Sequence, residues 1–332
     1  MGGNVLKLIL YFGWFTGCFP SQVPSQKSER FNFRWLHPVM IFSLLIVIFD
    51  VGLMVDFGVN SVVNYAEMTL GSGLSAVIVE CGRVFNIAAG DASVRILGIF
   101  TCPLIIELVL MIQKLEALRR NPCKFCHYMY KAYVTILLAN IFHLTYHYIR
   151  VSNFINFFKP IPWYVKLTII PDVDWMIRLA FWLQNFFIVS SLSFASSICI
   201  LLGTNLISLY LGFCNELKIC WGVCKMGRKD SNWMGEVDFY LETFIEKFKE
   251  LKRGFEIFSV VAGPLVFCVY MQLLLSLIHS VFSLSTSQAL KSIPGTFGCI
   301  FWIAFVAFFG NFMETKVRHF FIPNFKNKMT GW

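Results

Sequence analysis

The chain has 332 residues, 57 % apolar and only 14 % charged, with a mean hydropathy of +0.66. An ordinary soluble domain carries about 25 % charge, so this composition excludes that class, and 36 Phe with 9 Trp suit lipid and its interfaces. The formal charge of +9 does not point to nucleic acid, because the Lys and Arg fall between the apolar stretches, where the positive-inside rule puts them.

At the N-terminus, Lys7 followed by the apolar stretch 8–20 imitates a signal peptide. Trp14, Phe15 and Phe19 are bulky, however, and no small-x-small cleavage site follows, so 1–37 reads as a retained cytosolic segment. Leu6 argues against myristoylation. The first predicted span is 38–58, with Asp50 and Asp56 marking its outer end. In 65–90 the longest uncharged run is the 12 residues 68–79, which predicts an outer loop or re-entrant helix and not a crossing. A second span, 96–113, carries Glu107, and a third covers 132–149.

The most informative stretch is 179–215, which holds 37 residues without Asp, Glu, Lys or Arg. As helix it reaches about 55 Å, against a hydrocarbon core of about 30 Å. The fourth span, 179–213, is therefore overlong. The fifth, 258–284, lies in a second charge-free run of 34 residues, 257–290, and the sixth is 292–313. Between the fourth and fifth, Leu241, Phe244, Phe248 and Leu251 recur at helical spacing. Glu242 and Glu246 precede Lys247, Lys249, Lys252 and Arg253, so 236–253 reads as an amphipathic helix that feeds straight into the fifth span.

Charge bias sets the sidedness. With six spans and both termini inside, the inner segments 1–37, 114–131, 214–253 and 314–332 hold 21 of the 28 Lys and Arg. The expected fold class is all-α, a polytopic transmembrane bundle whose fourth and fifth helices extend into the cytosol. Its parts are a cytosolic segment 1–37, membrane helices across 38–213, a cytosolic linker 214–253, membrane helices across 254–313 and a cytosolic tail 314–332.

The stretch Leu10-Tyr11-Phe12-Gly13-Trp14-Phe15-Thr16-Gly17-Cys18-Phe19-Pro20, an apolar-Gly-aromatic run ending in Pro, is similar to the opening of the insect gustatory receptor family. A basic, aromatic stretch follows it, Phe31-Asn32-Phe33-Arg34-Trp35. The overlong fourth span and the amphipathic helix 240–255 running into the fifth also resemble that family, as does an internal N-terminus. The resemblance implies a chemosensory protein of the plasma membrane that binds a small organic tastant. It also implies a subunit of a ligand-gated cation channel, assembled as a homo- or hetero-tetramer with related receptors. The family has seven spans, the last carrying Thr-Tyr and then Gln-Phe. No such signature follows Met313, so the expectation is either a fragment or a divergent relative lacking the family's pore segment.

Asn140, His143, His147 and Arg150 share one face of the third span, with Tyr146 beside them. Polar groups facing lipid are costly, so this face should look inward. Gln184 and Asn185 near the outer start of the fourth span, and Gln272 and His279 in the fifth, fall at similar depth. The functional reading is a small-ligand cavity in the outer half of the bundle; the plainer one is interhelical hydrogen bonding, worth about 0.6 kcal/mol per contact. Glu107 is an ionisable group inside a span, and the expected arrangement pairs it with Arg83 or Arg95. A secondary transporter using Glu107 is the alternative.

No metal or cofactor is expected. His143 and His147 lack a third ligand. Cys123-x-x-Cys126 and Cys220-x3-Cys224 read as free or acylated juxtamembrane thiols before a zinc site. The 11 Cys are odd in number and scattered, some within predicted spans, which is not a disulfide framework. Phosphate loops, His-Glu-x-x-His and Gly-x-Ser-x-Gly are missing, so the chain does not read as an enzyme.

Overall fold

A computed structural model describes residues 2–21, 38–63, 74–118, 174–226 and 233–284, with isolated helical positions between 300 and 315. The described part is all-helical and contains five helices: α1 Gly2–Phe15, α2 Pro38–Val63, α3 Leu74–Ala117, α4 Asp174–Met226 and α5 Trp233–Leu284. Three of them contain stretches long and apolar enough to cross a membrane, Ala89–Ala117, Ser190–Ile219 and Glu242–Ile278. These overlap the predicted spans 96–113, 179–213 and 258–284. α2 adds a shorter apolar stretch, Pro38–Phe49. The predicted third span, 132–149, lies outside the described residues, as does most of 292–313.

Residues 74–90 are helical and continuous with the predicted span that follows, so α3 runs unbroken for 44 residues. The charges Glu80 and Arg83 that set this segment apart in the sequence do not interrupt a helix. Pro103 lies within α3 and Pro264 within α5, and both helices continue past them. The amphipathic stretch and the apolar span behind it form one helix, α5, of 52 residues and about 78 Å.

Side-chain contacts fix the packing directions. α3 and α5 are antiparallel: Gly90 meets Gln272 at one end, while Lys114 meets Glu250 at the other. α4 and α5 are also antiparallel, with Tyr210 against Phe248 and Glu216 near Lys247. All three helices touch at Gly254, where a Cβ would stand 3.0 Å from Met111 Sδ and 3.1 Å from Leu206 Cδ2. α4 is the most enclosed, with 83 % of its apolar window buried against 28 % for α5. Its composition explains this, since Ser190, Ser191, Ser193, Ala195, Ser197, Gly203 and Thr204 are small enough to let neighbouring backbones approach. Two of the hydroxyls bond back along the helix, Ser190 Oγ donating to the Phe187 carbonyl at 2.7 Å and Thr204 Oγ1 to the Leu201 carbonyl at 3.0 Å.

α1 belongs to the same core. Leu6, Ile9 and Leu10 are buried in one cluster with residues of α3, α4 and α5. The spacing of Leu6, Ile9, Leu10 and Gly13, at i, i+3, i+4 and i+7, puts them on the one face of α1 that packs against the bundle. α1 ends in a Schellman turn: Gly17 takes φ +73°, the Cys18 amide donates to the Gly13 carbonyl at 2.8 Å and the Gly17 amide to the Trp14 carbonyl at 3.2 Å. Glycine adopts this left-handed conformation without steric cost.

Candidate functional site

Two polar layers interrupt the apolar packing. The first centres on Asp91 and Arg95 of α3, whose side chains are both 0 % exposed. One helical turn separates them, so Arg95 Nε reaches Asp91 Oδ2 at 3.0 Å. The rest of the guanidinium works between elements. Nη1 donates to the Thr16 carbonyl at 2.5 Å and Nη2 to the Phe187 carbonyl of α4 at 2.9 Å. The cation also lies 5.9 Å from the centroid of the Phe187 ring. Arg95 thus joins the end of α1, α3 and α4 through one fork-shaped group.

The local sequence makes each contact possible. Thr16 is at the C-terminal end of α1, where carbonyls lack helical partners and carry partial negative charge. A buried cation there is favourable. One turn beyond Arg95, Gly98 receives the returning chain: a Cβ at that position would sit 2.5 Å from the Cys18 carbonyl oxygen. Phe42 of α2 packs edge-to-face on Phe187 at 5.9 Å, which closes the layer from a fourth side. Asp91 Oδ1 is buried and has no hydrogen-bond partner among the described residues.

Gln272 belongs to the same level. It is buried, 3 % exposed, and its amide lies where a side chain on Gly90 would be. Of the other predicted pocket residues, Gln184 and Asn185 have their backbone in α4 within one turn of Phe187, and His279 has its backbone in α5 two turns beyond Gln272. The side chains of these three lie outside the described set, and Asn140, His143, Tyr146 and His147 lie outside the described residues altogether. The structure therefore places Gln272 in a buried polar layer and brings the helix segments carrying three other candidates to that end of the bundle.

Asp91 was not among the residues singled out by sequence, and Arg95 was noticed only as a partner for Glu107. The signal was present, because an Asp and an Arg four residues apart in a helix entering an apolar span form a self-neutralising pair.

The second layer lies about 25 Å further along α3. Glu107 pairs with Arg253 of α5. This corrects the expected partners: Arg83 and Arg95 sit on the same continuous helix, about 36 and 18 Å away, and Arg95 is held by Asp91. The antiparallel course of α5 delivers Arg253 instead. Lys114 Nζ meets Glu250 Oε1 at 2.5 Å, and Lys247 Nζ donates to the Leu118 carbonyl at 3.3 Å. Lys247 also lies 3.9 Å from Glu216 and 5.4 Å from the Phe213 ring centroid. This charged strap ties α3, α4 and α5 together where the amphipathic half of α5 gives way to its apolar half.

Neither layer has a metal-binding set. Among the described residues no group of three His, Cys, Asp or Glu converges, and Cys18, Cys102, Cys199, Cys214 and Cys268 form no disulfide. No protein-family model and no curated protein matches this chain.

Proposed function

We propose that this chain is a gustatory-receptor-like chemosensory protein of the plasma membrane, multi-pass, with a cytosolic N-terminus. It binds a small organic tastant in the half of the bundle that contains Gln272 and acts as a subunit of a ligand-gated cation channel, in a homo- or hetero-tetramer. The observation that most supports this reading is α5, a single 52-residue helix that passes from an amphipathic half into an apolar span. Beside it stands the buried polar layer around Asp91, Arg95 and Gln272, which offers polar anchoring amid apolar walls. Ligand binding acts by differential affinity for closed and open states.

Whole-cell current recording from the full chain, alone and with related subunits, against a panel of sugars and bitter compounds tests this reading. His147→Ala and His279→Ala are expected to change the response at unchanged surface expression. Responses equal to wild type in both variants would remove the cavity from the proposal. The alternative, a secondary transporter using Glu107, predicts ion-coupled solute uptake that Glu107→Gln abolishes, with no ligand-gated current. The pairing of Glu107 with Arg253 counts against it, because that carboxylate is already engaged.

A further inference from the structure

Between α4 and α5, beside the charged strap, lies a groove of about 450 Å3. Tyr210, Phe248, Leu251 and Phe255 form its apolar walls, and Lys252, Glu256 and Ser259 stand along it. Tyr210 and Phe248 meet edge-to-face at 5.7 Å and Leu251 is buried, so packing fixes the groove's shape. Its volume falls within the range of about 300–1,000 Å3 typical of sites that bury a small ligand.

The stretch 242–256 of α5 holds eight charged residues and 257–290 holds none. Every α5 residue of the groove except Ser259 lies on the charged side of that change. Hydrocarbon therefore does not cover its aromatic walls, and a cover has to come from the aqueous side. Lys252 and Glu256 do not select it, because they pair with each other at 3.8 Å on an exposed face. The apolar walls and the reach of the chain do.

Reach separates the segments of this chain that lie outside the described residues. Segment 22–37 leaves α1 at the Arg95 layer, about 25 Å from the strap. Segment 119–131 follows α3, which α5 meets through Glu250 and Arg253. At 3.6 residues per turn, those two stand on nearly the opposite side of α5 from Lys252, Phe255 and Ser259. The six residues 227–232 are taken up in joining α4 to α5. That leaves 314–332, which the positive-inside reading puts on the strap's side. It carries Phe320-Phe321-Ile322-Pro323-Asn324-Phe325 between the basic flanks Lys316, Arg318 and Lys326, Lys328. Pro323 disfavours helix at Ile322 and favours an extended course, in which Phe321, Pro323 and Phe325 share one side. Extended segments with proline suit aromatic-lined grooves, and the basic flanks oppose sinking the stretch into lipid. From Thr315, the last described helical position, Phe321 can reach about 20 Å.

We propose that this groove is the docking site of the chain's own segment 320–325. Phe321, Pro323 and Phe325 pack against Tyr210, Phe248 and Phe255, so that the tail clasps α4 to α5 on the strap's side of the membrane. The assignment rests on the sidedness of the strap and not on the receptor reading.

The test uses the full chain in phosphatidylcholine nanodiscs with Phe321 replaced by the photoreactive benzoylphenylalanine. Irradiation is expected to join that position, within one chain, to 248–259. Ser259→Trp, at an exposed position, should abolish the adduct at unchanged thermal stability. Limited trypsin digestion of chains without the crosslinker gives a second measurement. Cleavage after Arg318 and Lys326 should be about tenfold faster in Ser259→Trp and in Phe321→Asp/Phe325→Asp than in the unaltered chain, equivalent to about 1.4 kcal/mol of docking. Adducts to lipid, to 119–131 or spread along α5 would overturn the assignment, as would equal cleavage rates in the three chains. Adducts between chains would assign the groove to a second copy and also overturn it.

Discussion

At the scale of single residues, the buried Asp91–Arg95 pair dominates. Removing one member of such a pair leaves an uncompensated buried charge and costs about 3–5 kcal/mol. Asp91→Asn is therefore expected to lower the apparent unfolding temperature sharply, read by tryptophan fluorescence of the purified chain in detergent. Replacing a simple buried pair by apolar residues is often neutral. Arg95, however, also satisfies the carbonyls of Thr16 and Phe187. The double variant Asp91→Asn/Arg95→Met should thus recover only part of the loss and stay about 1–3 kcal/mol below wild type; full recovery would mean that the carbonyl contacts are unimportant. Gly90 offers a second test. A methyl there meets the Gln272 amide, the far end of a flexible side chain, so Gly90→Ala should cost about 0.5–1.5 kcal/mol as that side chain is pushed off its rotamer. The cost should vanish when Gln272→Ala opens the space, and a cost that persists would place the strain elsewhere.

At the scale of elements, the course of α5 and the extent of α3 were legible to different degrees. The course of α5 was readable because amphipathic spacing at 236–253 runs without a breaker into 34 uncharged residues. The extent of α3 was not, since Glu67, Glu80 and Arg83 argue against a bilayer crossing at 65–90 but not against a helix, and Glu and Arg are good helix formers. The partner of Glu107 was likewise a question of helix direction that no local pattern answers. Exposed ion pairs are worth about 0.2–1 kcal/mol, so Lys114→Ala, which breaks a pair 63 % and 38 % exposed, should shift stability by no more than that. Glu107→Arg should do worse, because it sets like charges together at Arg253. The exchange Glu107→Arg/Arg253→Glu should restore the monodisperse, folded fraction measured by size exclusion, and failure of the exchange would show that the surroundings, not the pairing, select the signs.

At the scale of the whole molecule, Asp91 and Glu107 stand 16 residues apart on α3, about 24 Å. That is close to the thickness of a bilayer's hydrocarbon core, and three apolar helices pass through the slab between the two layers. The positive-inside reading places the strap on the cytosolic face. A cysteine introduced at the exposed Leu118 should then react with a membrane-impermeant maleimide, above the wild-type background, only after permeabilisation. Labelling in intact cells would invert the orientation. Composition and the charge-free runs were enough to point to a helical membrane protein, and the structure has three helices long and apolar enough to cross a bilayer. Which polar groups meet was decided only in three dimensions. Arg95 finds carbonyls 79 and 92 residues away, and Glu107 finds a cation 146 residues away. Such partners depend on helix direction and rotation, which the packing of small residues on α4 sets and hydrophobic periodicity does not encode.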